Sequence, residues 1–316
     1  PTTLNPIIQN NLKPVLVDAE IGTYNIDAKL IEKNITEKTK GIVLAHTLGN
    51  PFDLNEVEKI CKKYDLFLME DMCDAFGSKF NGDLVGSFGD VATLSFYPAH
   101  HITTGEGGAV LTNNPKLKKI IESLRDWGRD CYCEPGKDNT CKKRYEWELG
   151  NLPKGYDHKY IYSHVGYNLK ATDMQAAIGI SQLEKVDSFI QKRKENFSYL
   201  YEKFKEFEMF DLPVWNELSE PSWFGFPLSL NSKAKFKRED LLRFYEERKI
   251  GTRLLFAGNI TKQPAYLNVD IKSEESLPVA DYVMENTFWL GVYPGLSEDM
   301  LEFIFNETKN FVKENS

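Results

Sequence analysis

GIVLAHTLGNPFDLNEVEKICKKYDLFLME, residues Gly41 to Glu70, decides the fold. Two short, nearly unbroken apolar runs, GIVLAH (41–46) and DLFLME (65–70), flank DLNEVEKICKKY (53–64), whose apolar residues recur at helical spacing. Strand, helix and strand in that order make a crossover unit. Strands that are apolar on both faces belong to a parallel sheet covered by helices on both sides. Working outward, KPVLVDA (13–19) reads as a further strand and DAKLIEKNI (27–35) as helical. VATLSFY (91–97) and GGAVLT (107–112) continue the strand series, and a helix is expected from about 115 to 127.

Beyond residue 127 the character changes. Residues 128–167 are polar, rich in Gly, Pro, Tyr and Lys, and lack periodicity, so they read as a long excursion. Excursions of that length are commonly functional. Helical spacing resumes from Thr172 to about Phe207, and FGFPLSL (224–230), KREDLLRFYEERK (237–249) and TFWLGVY (287–293) supply a second set of elements. The expected organisation is a large α/β domain over 1–195, carrying the excursion, and a smaller α/β domain over 196–316.

The 316 residues carry a net charge of −8, with 47 acidic against 39 basic side chains and no basic block, which argues against nucleic acid or an anionic membrane as partner. No apolar run approaches the roughly 20 residues needed to span a bilayer. With no signal peptide in view, a cytoplasmic setting is the expectation. The chain opens on Pro-Thr-Thr rather than Met and soon enters a strand pattern, which suggests processing, trimming or a fragment.

Sheets of this kind bind ligands beyond the C-terminal ends of their strands. Three stretches lie there: His46, EDMCD (70–74) and SFYPAHHITTGEGGAV (95–110). Asp71 could pair with a protonated ring nitrogen or cap a helix. Ser95 and the glycines at 105–108 could approach a phosphate, although tight turns use glycine too. His100 and His101 could exchange protons near neutral pH or lie idle on a loop. The five cysteines, Cys61, Cys73, Cys131, Cys133 and Cys141, do not read as a disulfide framework in a cytosolic-looking chain of this size; their clustering points to metal or redox chemistry, and spacing alone leaves unrelated thiols, structural zinc and a cluster open.

EDMCDAFG, SFYPAHHITTGEGGAV and GYNLKATDMQAAIG together resemble the sugar aminotransferase family of pyridoxal-phosphate enzymes, and KPVLVDAEIGTYNID and GIVLAHTLGNPFDLNEV fit its spacing. The resemblance covers nearly the whole chain. It implies the fold type I architecture, a mostly parallel sheet with helices on both faces plus a smaller C-terminal α/β domain, and a homodimer with shared sites. The family has roughly a hundred further residues ahead of this point, so part of the large domain is expected to be missing. Carried over by residue, Asp71 matches the aspartate on the pyridine nitrogen, and Ser95 matches the serine on the cofactor phosphate. Asn168 matches the asparagine that reaches the partner's phosphate. Asp74 stands where the family has a glutamine or histidine near the ring oxygen.

His100 occupies the position of the family's Schiff-base lysine. An imidazole cannot make that linkage, but it can move a proton at the cofactor's C4′ carbon. Histidine at this position resembles the 3-dehydratases of nucleotide-linked 4-keto-6-deoxy sugars, with His101 in a supporting place. One kind of these is metal-free. The other uses pyridoxamine phosphate and a [2Fe–2S] cluster on CDP-linked sugars, in dideoxysugar and lipopolysaccharide biosynthesis.

After Cys73 come 57 residues to Cys131, one to Cys133 and seven to Cys141, the intervals of the second kind. The resemblance therefore implies a four-thiolate [2Fe–2S] site, a CDP-4-keto-6-deoxyhexose substrate and an NADH-dependent flavin/iron–sulfur reductase as partner. Arg253, in TRLLFAGN (252–259), is a candidate contact for the sugar nucleotide. Two alternatives remain, a metal-free nucleotide-sugar 3-dehydratase and a noncatalytic, regulatory homologue. The aromatics of WFGFPLSL and TFWLGVYPG read as core, and Cys61 as a packed thiol.

Overall fold

A computed structural model of the chain describes residues 1–133, 136–273 and 276–315. The strands Gly41–Ala45, Phe67–Asp71 and Val91–Ser95 lie side by side and parallel, with Ala45 opposite Asp71 and Asp71 opposite Thr93. Gly108–Leu111 closes this sheet antiparallel to Val91–Ser95 and sets Gly108 opposite Ser95. That tight return needs glycine, because a Cβ on Gly108 would stand 2.6 Å from the Leu94 carbonyl oxygen. The helix Leu54–Tyr64 forms the crossover. Asp53 caps its N-terminus by accepting from the Glu56 N–H, and Asp65 in the left-handed region ends it. Its buried face, Leu54, Val57, Ile60 and Cys61, packs into one core with Leu68, Phe80 and Ala92.

The second sheet is antiparallel throughout, in the order Thr252–Leu254, Thr287–Gly291, Gly225–Leu230, Phe210–Asp211. Every residue of Gly225–Leu230 is buried, which is why FGFPLSL reads as an unbroken apolar run. Phe197, Leu200 and Phe204 of the helix Val186–Phe204 pack into the same core as Phe226, Phe288 and Phe305. Each such side chain contributes about 1.5–3 kcal/mol on burial. The boundary expected at 195/196 thus falls inside a helix whose later turns belong to the second core.

The architecture is α/β, with mixed sheets and flanking helices. Three expectations need correction. Lys13–Ala19 is not a strand; it makes only isolated pairings, Val15 with Lys272 and Ala19 with Ile26, so its backbone hydrogen bonds go to residue 272 and to Asp27 rather than to a sheet. Residues 27–35 form two short 3₁₀ turns, the first capped by Asp27. The long helix from Thr172 is two helices, Asp173–Leu183 and Val186–Phe204.

The excursion is irregular, as expected, with one 3₁₀ turn at His158–Tyr160 among its described residues. Its two ends are tied together by pairings of Asp126 with Asn168 and Arg129 with Tyr162. Gly128, at φ +82°, sits at that knot, where a Cβ would be 1.8 Å from the His164 carbonyl oxygen. Among the described residues, no helix is long and apolar enough to cross a membrane.

Candidate active site and cysteine cluster

Strand ends create the site. Glu70 and Asp71 are the last two residues of a central strand, so pleating sends their side chains to opposite faces. Glu70 points inward and is fully buried. Its carboxylate accepts from the N–H groups of Gly86 (2.7 Å), Phe88 (2.9 Å) and Gly89 (2.7 Å), and meets His46 Nε2 at 3.1 Å. Burial alone would push the Glu70 pKa up, but His46 and the backbone donors outweigh it and hold it below the ordinary value. His46 stacks on Phe52 with ring centroids 4.3 Å apart, and its Nδ1 accepts from the Phe52 N–H. Of the strand-end candidates, His46 is therefore a structural partner of Glu70.

Asp71 faces the other way and is partly buried. One carboxylate oxygen accepts from Thr3 Oγ1 at 2.8 Å and the other from the Cys73 N–H at 3.2 Å. Ser95 ends the neighbouring strand, where its hydroxyl accepts from the Tyr97 N–H at 3.2 Å. The Gly107–Gly108 return beside it is steadied from the helix Asp173–Leu183, whose Gln175 amide donates to the Glu106 carbonyl at 2.8 Å.

The two adjacent histidines have different surroundings. His100 Nδ1 lies 3.4 Å from Asp74 Oδ1, close enough for charge pairing but not aligned as a hydrogen bond, and both side chains are mostly covered. The His100 ring stacks on Phe224 at 5.3 Å, with Tyr97 edge-on at 6.0 Å. Behind Phe224 lies the buried Arg193. Its guanidinium sits 5.6 Å from that ring and donates to the Phe224 carbonyl. Burial lowers the Arg193 pKa to about 10, and Asp74 works against that shift. His101 is 2% exposed, with Nε2 3.0 Å from the Ser222 carbonyl oxygen. Burial, aided by Arg193, drives its pKa down to about 3, so it stays neutral and donates from Nε2. The Ser222 N–H in turn donates to Ser78 Oγ, which donates to the Gly49 carbonyl. His101 is thus a strut and His100 is the histidine that faces an acid.

Three of the four cysteines of the spacing pattern converge, and they converge on a histidine. His158 Nε2 lies 3.4 Å from Cys131 Sγ and 3.8 Å from both Cys133 Sγ and Cys141 Sγ, while its Nδ1 lies 3.5 Å from Cys141 Sγ. Cys133 has its pKa lowered to about 7, mainly by a hydrogen bond from Thr140 and also by the neighbouring thiols. Cys73 stands beyond the central strand, where its thiol donates to the Thr93 carbonyl at 3.9 Å. Burial and the nearby Asp71 push its pKa far up, so a thiolate there needs a cation. Among the described residues, no hydrogen bond joins Cys73 to the other three.

Asn168 is exposed. Its side-chain oxygen accepts from Lys170, which also binds Asp126 and lies 3.4 Å over the Trp127 ring. Arg253 is likewise exposed, on Thr252–Leu254, and its guanidinium donates to the Thr252 carbonyl. The sequence reading missed His158, Arg193 and the stacking role of Phe224. His158 could have been found as one of the two histidines, with His164, that follow the cysteine triplet inside the excursion. Phe224 carries no signal that separates it from its core neighbours.

Residues 1–309 match the DegT/DnrJ/EryC1/StrS aminotransferase family. The chain is 57% identical over 312 residues to the lipopolysaccharide biosynthesis protein RfbH of Salmonella typhimurium, covering 98% of this chain and 71% of that protein. It is 53% identical over 316 residues to the dTDP-4-dehydro-2,6-dideoxy-D-glucose 3-dehydratase of Saccharopolyspora spinosa, covering all of this chain and 68% of that one. Among solved structures, the GDP-4-keto-6-deoxy-D-mannose-3-dehydratase of E. coli with bound hydrated PLP superposes with a TM-score of 0.86 at 28% identity. That match covers 97% of this chain and 76% of the other.

Proposed function

This chain belongs to the DegT/DnrJ/EryC1/StrS aminotransferase family, and from that premise we propose that it is a nucleotide-sugar 3-dehydratase. It removes the C3 hydroxyl of a CDP-linked 4-keto-6-deoxyhexose in dideoxysugar biosynthesis. The reading is supported above all by His100, which lies beside Asp74 and, by the sequence resemblance, takes the place of the family's lysine. The residues fit a pyridoxamine phosphate: adjacent strands end in Asp71 and Ser95, and His100 Nδ1 is buried without an aligned partner. Asp71 would hold the pyridine nitrogen and Ser95 the phosphate. When bound, the cofactor supplies an amine for the sugar's C4 carbonyl and an electron-accepting ring.

The chain's own residues do the rest. Asp74 and the Phe224 face hold the His100 ring in one orientation, and His100 moves the proton at C4′. The C3–O bond breaks, the hydroxyl leaves as water, and completing the deoxygenation takes two electrons and two protons. A [2Fe–2S] cluster on Cys73, Cys131, Cys133 and Cys141 would pass those electrons singly from an NADH-linked flavin reductase. This reading is supported by the convergence of three of these thiols and by the lowered pKa of Cys133.

The site is shared in a homodimer. This part is supported by the helix Asp173–Leu183, which buries none of its residues and exposes Met174, Ile180 and Leu183 close in sequence to Asn168. The dTDP-linked substrate named for the Saccharopolyspora relative favours one rival nucleotide. Turnover of CDP-, dTDP- and GDP-linked 4-keto-6-deoxy sugars, compared side by side, decides the substrate. Solvent deuterium entry at C4′ of pyridoxamine phosphate tests the base: His100→Asn should lose about 10²–10⁴-fold. Exchange at the wild-type rate would refute the role.

A further inference from the structure

Arg193 is 3% exposed, on the buried face of the helix Val186–Phe204. The helix is locked on either side of it. Ile190, one turn earlier, packs onto the loop that follows Asp74, where a Cβ added to Gly77 would stand 2.4 Å from the Ile190 Cδ1. Three residues later the buried Asn196 donates to the Val292 and Tyr293 carbonyls at 3.3 and 3.0 Å. A buried cation is normally paired with a carboxylate. Among the described residues Arg193 makes no ion pair. It donates to the Phe224 carbonyl at 3.2 Å, its guanidinium carbon lies 5.6 Å from the Phe224 ring centroid, and its Nε is buried without a partner. Core packing alone would be served as well by an uncharged side chain of the same bulk.

Two features tie this cation to His100. The residue whose carbonyl it holds, Phe224, supplies the ring on which His100 stacks at 5.3 Å. The carboxylate whose charge acts on it is Asp74, which stands 3.4 Å from His100 Nδ1. Among the described residues no hydrogen bond fixes the Asp74 carboxylate, so its direction is set by the charges around it. We infer that Arg193 is a positioning residue for proton transfer at His100: its buried charge holds the Asp74 carboxylate in place beside the imidazole, and its N–H holds Phe224 against the ring. The inference rests on His100 as the group that moves the C4′ proton, and it adds a residue that need touch neither cofactor nor substrate. An imidazole released from Asp74 loses its alignment, and a misplacement of about 1 Å can cost about 10²-fold in rate.

The test compares the whole chain with Arg193→Lys, which keeps a cation and a donor, and Arg193→Gln, which keeps a donor without the charge. Solvent deuterium entry at C4′ of pyridoxamine phosphate is followed over a range of cofactor concentrations, which separates the limiting rate from half-saturation. The limiting rate should fall about 10–10²-fold in Arg193→Gln at unchanged half-saturation, and recover most of the way in Arg193→Lys. With Asp74→Asn already present, Arg193→Gln should cost little more, because the charge acts through that carboxylate. A second readout needs no cofactor. In protein carrying ¹³C-labelled histidine, the His100 ring resonance, assigned by its loss in His100→Asn, should move in Arg193→Gln and return in Arg193→Lys. A wild-type limiting rate or an unmoved resonance in Arg193→Gln overturns the inference. Equal losses in the two variants, losses that simply add to those of Asp74→Asn, or a variant that does not fold make Arg193 a scaffold residue, which also overturns it. His100→Asn separates the two failures: exchange there at the wild-type rate overturns the base and this inference with it. Slow exchange in His100→Asn beside wild-type exchange in Arg193→Gln removes Arg193 alone.

Discussion

Glu70→Gln should destabilise the fold by about 2–5 kcal/mol at pH 7, through two stranded N–H donors of roughly 1–3 kcal/mol each less some relaxation. The carboxylate uses both oxygens: one accepts from Phe88 and Gly89, the other from Gly86 and His46. An amide has only one acceptor oxygen, so its NH₂ must face one of those pairs of donors. If it faces Phe88 and Gly89, two buried N–H groups lose their acceptor. If it faces Gly86 and His46, the histidine can shift its proton to Nδ1, but the Phe52 N–H then loses its acceptor. Either way two buried donors are stranded.

Urea unfolding of the cofactor-free protein is the assay, since a bound ligand would add its own stabilisation. Because the folded pKa of Glu70 lies below its ordinary value, the wild-type advantage is fully present above the unfolded pKa of about 4.3. It is lost as pH falls through the lower, folded pKa, where Glu70 itself takes up a proton and becomes a donor. The gap between wild type and variant should therefore close in acid. A loss below about 1 kcal/mol at pH 7, or a gap that persists unchanged in acid, would refute the reasoning.

Cys73→Ser should lower iron per chain and abolish net deoxygenation while leaving C4′ deuterium exchange measurable, as read by iron analysis and mass spectrometry; full iron retention would remove Cys73 from the ligand set. Gly128→Ala forces a left-handed backbone onto a residue with a Cβ against the His164 carbonyl, costing at least about 1–2 kcal/mol. Limited proteolysis should then cut within 130–160 faster than in wild type. Light scattering should give twice the chain mass, and Ile180→Asp, on the exposed apolar helix, should shift the protein toward monomer; a wild-type monomer with full activity would end the shared-site proposal.

The sequence by itself determined what is local and periodic. The runs at 41–46, 65–70 and 91–97 became the three parallel strands because they are short, nearly unbroken apolar runs set around a helical repeat, the pattern of strands buried on both faces. Asp71 and Ser95 end their strands, and Asp74 and His100 follow those ends and lie beside each other. The lack of periodicity in 128–167, with its Gly, Pro, Tyr and Lys, signalled the irregular chain seen among its described residues. Periodicity failed where the backbone bonds elsewhere: Lys13–Ala19 looked like a strand, yet its partner is residue 272, and no local pattern records a partner that distant.

The same limit governed the site. Asp74 and His100 are 26 positions apart, and Phe224 and Arg193 approach from the other half of the chain, so their meeting depends on how two cores close on each other. His100 and His101 are neighbours with identical chemistry on paper. Only packing separates them, because burial against Ser222 and Arg193 holds one neutral while the other is left beside a carboxylate. Spacing grouped the four cysteines, but the fold chose which atoms touch. A turn pinned by Arg144 and Asp157 carries His158 in among three of the sulfurs, and that contact exists only once the excursion has folded back on its own base.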